Sequence, residues 1–477
     1  LLAEPGHAPA ERNCRLQLED GRITAITAGA GTSSDGAIGK LAMPALVDAH
    51  DHGRGLRPLA FGCCDGPLEL WISGLGLEPK VDPYLRAAVA FANLAKGGVA
   101  AANHCHNPQD RNDLVGEARA VSRAARDVGI RIAFAAPVFD RNAIVYGPTE
   151  PLADTLGETA FAALEARTTR ATAAEQLAQI EAITEFEHAF FKVQYGPVGP
   201  QWCEDATLEA IAEASAATGR RIHMHLFETE RQRAWADASY PGGLIAFLDT
   251  IGLLSDRLTV AHGVWLRPDE CALLAERGVT VSVNTSSNLR LRSGLPSVAR
   301  FKVAGLAWAM GLDGMAMDDD EDALRELRLL WLSQQGCGIE PALPPGELFD
   351  AVLGAGRRSV IGADDGGRLV PGTAADVLVL DLDAMLADAL DADLDPAQAI
   401  LTRATKAHIE TLHVAGRKVV ERGRVQTLDL DAATAELHAQ AAAGWPERAA
   451  AKAEQARLRA ALEAYYAKPE WRAGSAR

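Results

Sequence analysis

The sequence predicts an α/β fold: a parallel (β/α)8 barrel of the TIM type, with a small β-sandwich module built from both flanks of the barrel and a C-terminal helical tail. Three observations predict it. Eight short apolar segments alternate with Ala-rich helical patterns between about residues 42 and 365. Stretches that alternate around tight turns lie on both sides of that region. The chain has 477 residues, and a barrel uses roughly 250 or more, which leaves room for a second module.

The elements follow in order. Residues 1–44 hold "RLQLEDGRITAI", which alternates around an Asp-Gly turn and reads as a hairpin, the first part of the β module. Residues 45–365 hold the barrel, with candidate strands "ALVDAH", "GVAAANH", "IRIAFAAPV", "FFKVQY", "RRIHMHL", "LTVAHG", "VTVSVN" and "LAWAMGLD". Between them lie helical patterns such as "VDPYLRAAVAFANLAKG" and "DATLEAIAEASAATG", the second closing on a Gly suited to a C-cap. Residues 366–430 return to hairpin chemistry in "RLVPGTAADVLVLDL" and "HVAGRKVVERGRV", and complete the module. Residues 431–477 are rich in Ala, Glu and Arg and read as a solvated or subunit-packing helical tail.

Composition narrows the function. Hydrophobic residues make up 48% and charged residues 23%, the balance of a folded chain. A net charge of −17 argues against nucleic acid and anionic membrane, which basic surfaces bind, and favours a small neutral or cationic substrate. The seven cysteines (Cys14, Cys63, Cys64, Cys105, Cys203, Cys271, Cys337) are odd in number and show no C-x-x-C pairing, which points to a reducing cytoplasm. No apolar run is long enough to span a bilayer, and the opening "LLAEPGHAPAERNC" lacks the pattern of a signal peptide.

The chemistry begins at "MPALVDAHDHGRGLR", where His50 and His52 stand two apart at a strand end. Side chains two apart on a strand share a face, so both imidazoles can address one point. A lone His-x-His also suits a solvated strand end, and its recurrence decides between the two. His223 and His225 share a face in "RRIHMHLFET" with Glu228 just beyond; "LTVAHG" ends on His262 and "LAWAMGLD" on Asp313. All sit at the C-terminal ends of barrel strands, where the loops of such enzymes converge. Three histidines and a carboxylate suit Zn²⁺ or Fe²⁺.

On "PALVDAHDH", "HMHLFET", "VAHGVWL", "SSNLRLRSG", "GLDG" and "GRLVPGTAADVLVLD", the chain resembles the metal-dependent amidohydrolase superfamily, and more narrowly its cytosine deaminase and chlorohydrolase-like (ATZ/TRZ-type) branch, from about Arg15 to Val425. The resemblance implies that His50, His52, His225 and Asp313 hold one divalent metal ion, zinc first with iron, manganese or cobalt as alternatives. It implies that Glu228 shuttles protons, that Asp313 accepts the water's proton, and that His262 contacts the water or the developing oxyanion. The "SSNLRL" loop, with Asn288, would shape the pocket.

The expected activity is hydrolytic deamination of an N-heterocyclic small molecule, and the rival is hydrolysis of an amide, urea or (thio)carbamate. "YGPVGPQWC" carries Val198 where many deaminases of the branch have a "P-H-A-P" histidine, which favours the rival, while Glu228 favours deamination. A catalytically inactive binding protein on the same scaffold is a third reading, against which all six polar positions stand intact. "NHCHNP" adds His104 and His106 near the rim, open to substrate, a second metal or a structural role. Lys192 lies too deep in "FFKVQY" to bridge two metals and reads as a salt bridge at the lower rim. Arg54, Arg57, Trp71, Trp202 and Trp265 are candidates for walls and polar handles at the mouth. The expected assembly is a homo-oligomer, a dimer or higher.

Overall fold

Strands that are apolar along both faces belong in a parallel sheet covered on both sides, and the computed structural model, which describes residues 1–29, 39–141, 144–166, 171–362, 366–391, 393–468 and 471, builds one. Outside the barrel, strands β1 (Arg15–Glu19) and β2 (Arg22–Thr27) form an antiparallel hairpin, and β3 (Lys40–Pro44) leads into the barrel. The barrel strands are β4 (Leu46–Asp51), β5 (Val99–Cys105), β6 (Arg131–Val138), β7 (Phe191–Pro197), β8 (Ile222–Leu226), β9 (Leu258–His262), β10 (Thr280–Val283) and β11 (Ala307–Met310). They run in sequence order from β4 to β11, each parallel to the next. All eight expected strands are present, with β4, β5 and β9 buried along their whole length.

The barrel closes without a ladder between β11 and β4. Asp313 N donates to His50 O at 2.7 Å, and the buried Asp48 Oδ1 accepts from His50 N at 3.1 Å and from Leu312 N at 2.9 Å. Asp51 takes Gly53 N at 2.5 Å and Gly314 N at 2.6 Å. Backbone donors that a ladder would satisfy are met here by two carboxylates.

Both predicted barrel helices form. One spans Pro83–Lys96, and the other, Asp205–Thr218, ends on Gly219 in the left-handed region at φ 71°. Beyond the barrel come β12 (Val377–Asp381), β13 (Ile409–Val414), β14 (Arg417–Glu421) and β15 (Arg424–Val425). They form an antiparallel sheet in the order β15-β14-β13-β12-β3, so both flanks contribute to one module. The β1–β2 hairpin packs on it through Ile23, Leu369, Ala375 and Val377. Asp20 and Gly21 both take positive φ, as a two-residue type I′ turn requires. The expected barrel boundary at residue 365 lies outside the described residues.

The tail departs from expectation. It forms two helices, Leu430–Ala450 and Lys452–Tyr466. Leu437 of the first is fully buried beside Leu56, Phe61 and Trp71. Ala461, Leu462 and Tyr465 of the second are buried with Val145 and Leu152. A few apolar side chains, Leu437 of the first helix and Leu462 and Tyr465 of the second, anchor the tail on the barrel mouth, which the Ala-rich composition conceals.

Candidate active site

The strand ends bring the predicted ligands to one point. His50 Nε2 lies 3.1 Å and His52 Nε2 3.2 Å from Asp313 Oδ1. His225, near the end of β8, places Nε2 3.4 Å from His52 Nε2. The donor atoms of His50, His52 and Asp313 fall within 4.8 Å of one another, and so do those of His50, His225 and His262.

The far nitrogen of each imidazole is held from behind. His52 Nδ1 faces Asn107 Oδ1 at 2.6 Å and Cys105 O at 3.0 Å. His225 Nδ1 donates to Val198 O at 2.7 Å. His50 Nδ1 meets His223 Nε2 at 2.8 Å. Such partners set the tautomer that leaves the other nitrogen free to ligate. Burial pushes His50 and His225 well below the usual imidazole range and lowers His52 as well, which favours the neutral, ligating form. His50 Nε2 is buried and makes no hydrogen bond. An orphaned nitrogen aimed at a carboxylate and two further imidazoles fits a divalent ion that takes N and O ligands.

Glu228 and His262 stand beside this cluster. Glu228 Oε2 is 3.6 Å from His262 Nε2, Glu228 Oε1 accepts from Ser293 Oγ at 3.3 Å, and burial raises the carboxyl to about 7. His262 Nδ1 lies 2.9 Å from Asn288 Oδ1, and its Nε2 is 3.9 Å from Asp313 Oδ2. Phe227, His262 and Asp313 hold φ of 50°, 75° and 62°. Non-glycine residues in this region cost about 1–3 kcal/mol each and cluster at functional sites.

The cluster opens into a cavity of about 590 Å³. Arg54, Trp71, His106 and Trp202 line it, as do Tyr146 and Val198. The tail contributes Arg448, Gln455, Leu458, Leu462 and Tyr466 to its wall. Arg57 pairs instead with Glu321. Three other candidates stand elsewhere. Asn288 is buried behind His262, and Trp265 is 38% exposed with its Nε1 donating to Ser293 O at 3.0 Å. His104 sits under the rim, its Nε2 3.1 Å from His106 Nδ1, and His106 Nε2 meets Glu117 Oε2 at 2.8 Å. Glu117 also accepts Gln109 N and Asp110 N, so this chain of groups organises the loop that carries Asn107. Lys192 is largely exposed, 4.0 Å from Glu187.

The sequence reading did not assign roles to Asp48, Asp51, Asn107, His223 or the tail residues. His223 and Asn107 each lie within a noted motif, "HMH" and "NHCHNP". The others act across elements distant in sequence, where local pattern carries no signal.

The chain is 28% identical over 446 residues to a 5'-deoxyadenosine deaminase of Methanothermobacter thermautotrophicus, covering 89% of this chain and 95% of that one. It is 31% identical over 237 residues to a 5-methylthioadenosine/S-adenosylhomocysteine deaminase of Bacillus cereus, covering 49% of this chain and 53% of that one. In fold it is similar to a zinc-bound adenosine deaminase from Xanthomonas campestris, with TM-score 0.73 and 22% identity over 90% of this chain and 93% of that one. It is also similar to an atrazine chlorohydrolase from Arthrobacter aurescens complexed with zinc, with TM-score 0.74 and 21% identity over 90% and 95%. The profile of the Amidohydrolase family matches residues 41–419; the eight-stranded barrel with polar residues gathered at its strand ends belongs to that family of metal-dependent hydrolases, and hydrolysis of a C–N bond fits it.

Proposed function

We propose that the chain deaminates an amino-substituted N-heterocycle by hydrolysis at a centre of one metal ion, zinc first, held by His50, His52, His225 and Asp313. The observation that carries this reading is Glu228: a buried carboxyl raised to about 7, 3.6 Å from His262 and outside the cluster of His50, His52 and Asp313. When bound there, the ion would supply Lewis-acid polarisation and would lower the pKa of water toward neutral.

Asp313, whose Oδ2 faces His262 at 3.9 Å and accepts from Ser287 Oγ at 2.5 Å, takes up the proton of the attacking water. Glu228, neutral for part of the time near pH 7, delivers a proton to the substrate nitrogen; a C–O bond forms, the C–N bond breaks and ammonia leaves. His262 faces the oxygen on which negative charge develops. Trp71, Tyr146 and Trp202 exclude water around the ring.

Val198 favours a second reading, hydrolysis of an amide, urea or (thio)carbamate, because it presents an apolar side chain and its carbonyl is engaged by His225. Screening heterocyclic amines, amides and carbamates separates the two: ammonia released from a ring amine with an oxo-heterocycle as product supports deamination, and cleavage of an amide, urea or carbamate to an acid with its amine or ammonia supports the second. The reading extends to the division at residues 44, 365 and 430 into module, barrel, module and tail, and to a cytoplasmic homo-oligomer. All seven cysteines are free, which supports a reducing compartment. Among the described residues no helix is long and apolar enough to cross a membrane.

A further inference from the structure

Glu228 stands on a strained segment. Phe227, directly before it, holds φ of 50°, a conformation that persists only where the surroundings over-determine it. Two grips flank the strain. On one side the Arg233 guanidinium, paired with Glu270 at 2.6 Å, lies 4.5 Å from the Phe227 ring centroid. On the other, Glu69 of the helix Leu68–Gly74 accepts from Thr229 Oγ1 at 2.6 Å through Oε1 and faces Arg231 Nη1 at 3.5 Å through Oε2. Thr229 caps the helix Glu230–Ser239, and Glu228 N donates to Gln232 Oε1 at 2.8 Å. A shift of that first helical turn therefore carries Glu228 with it.

The second grip runs through the tail. The Arg231 guanidinium lies 5.2 Å from the Tyr466 ring centroid and 5.5 Å from that of Trp471, and these two rings, 6.1 Å apart at 66° to each other, form a corner that receives it. Trp471 is buried. Leu70, the neighbour of Glu69, packs into the same apolar cluster as Leu462 and Tyr465, so the tail touches both partners of the Glu69–Arg231 pair. With 30% of the Arg231 side chain exposed, Coulomb attraction alone would hold that pair weakly. Aromatic faces attract the cation and fix the direction of its planar fork, which here points to Glu69. The family profile ends at residue 419, before the tail begins.

We propose that Arg231, lodged in the corner of Tyr466 and Trp471, is a positioning residue for Glu228, and that the tail holds the catalytic segment in its strained conformation. This deepens the reading of Glu228 as proton donor and rests on it. Without the corner, Arg231 turns toward solvent, Glu69 loses one of its two holds on the first turn, and Phe227 relaxes. Glu228 then leaves the place from which it reaches the substrate nitrogen, while the ligands on the strand ends stay where they are.

The test uses the full-length zinc-loaded chain and compares wild type with Arg231→Met, Arg231→Lys and Trp471→Leu. Amide hydrogen exchange, read by mass spectrometry, follows the peptide from Phe227 to Arg233; kcat, KM, zinc content and the unfolding midpoint are measured beside it. In Arg231→Met that peptide is expected to exchange about 10-fold faster, and Trp471→Leu to change it in the same direction, while the barrel strands, zinc and midpoint hold. In both variants kcat falls, by roughly 10- to 100-fold in Arg231→Met, the cost of a misplaced reacting group. KM changes little, because Tyr466 still walls the cavity. Arg231→Lys keeps the charge on the rings, loses the fork and restores part of both. The double variant is no slower than the worse single one, since both act through one contact. Unchanged exchange in Arg231→Met or in Trp471→Leu overturns the proposal, and so does faster exchange with kcat intact. If Arg231→Met loses its zinc or its fold, Trp471→Leu decides in the same way. Exchange needs no substrate, which separates this outcome from the deamination reading: if Glu228→Gln keeps full turnover, that reading falls and exchange alone decides whether the tail holds the segment.

Discussion

Asp313 meets His50 twice: its backbone N–H donates to the His50 carbonyl at 2.7 Å, and its Oδ1 stands 3.1 Å from His50 Nε2. The seam that joins the last barrel strand to the first is therefore also the proposed metal centre. Ligand geometry depends on barrel closure, and closure is set by the residues that carry the ligands.

Metal retention follows from this arrangement. Alanine at His50, His52, His225 or Asp313 should abolish stoichiometric zinc, read by elemental analysis of the purified protein. Asn107→Ala removes an acceptor that fixes His52 and should weaken zinc by about 10- to 100-fold, read by competition with a chelating dye. Full occupancy in His225→Ala would remove that residue from the ligand set.

Asp48 tests the seam itself. Its Oδ1 serves two buried backbone donors from opposite sides, His50 N and Leu312 N. Asp48→Ala leaves both unmet, at about 1–3 kcal/mol each, and should lower the unfolding free energy and weaken zinc together. Asp48→Asn keeps the acceptor and should restore much of both. Equal stability of the alanine and asparagine variants in urea would show that the carboxylate does not close the barrel.

Glu326 sets a pH dependence of stability. It is buried, accepts Ser286 N at 2.9 Å, and is raised by burial from 4.5 to about 7 against the hydrogen bonds from Ser286. The folded state thus holds a proton that the unfolded state releases near 4.5. The contribution is complete below that value and is lost as pH climbs through about 7. Glu326→Gln removes the slope, so its stability relative to wild type should rise between pH 5 and pH 8, by on the order of 3 kcal/mol at most. Urea unfolding at both pH values checks this, and parallel curves would contradict it.

The tail should act on substrate rather than on metal. Tyr466 lines the cavity, and the Arg231 guanidinium lies 5.2 Å from its ring centroid. Tyr466→Ala should raise KM several-fold, in keeping with about 1 kcal/mol for loss of an aromatic contact, with zinc content unchanged. An unchanged KM on every substrate found would return the helix to a purely structural role.

Much of this was legible in the sequence. The barrel strands declare themselves through short apolar runs, and His50, His52, His225, His262 and Asp313 through their place at strand ends, because period-two geometry and barrel topology are local rules. What was not legible depends on contact between distant segments. Asp48 and Asp51 look like ordinary residues of "LVDAHD" until the last strand arrives beside them. Asn288 reads as a pocket residue until His262 is found to stand in front of it. Leu458, Leu462 and Tyr465 recur at helical spacing, yet only the folded chain shows that the face they make covers the barrel mouth.

In the proposed mechanism a proton-bearing Glu228 serves a metal centre that it does not help to hold. Glu228→Gln keeps the shape and hydrogen-bonding capacity of the side chain and cannot exchange a proton. Zinc content and steady-state ammonia release of this variant, measured side by side, test the claim most directly. The expected result is full zinc with turnover lowered about 100- to 10,000-fold. Loss of zinc would make Glu228 a ligand, and full activity would place the proton transfer on another group; either result would overturn this role for Glu228.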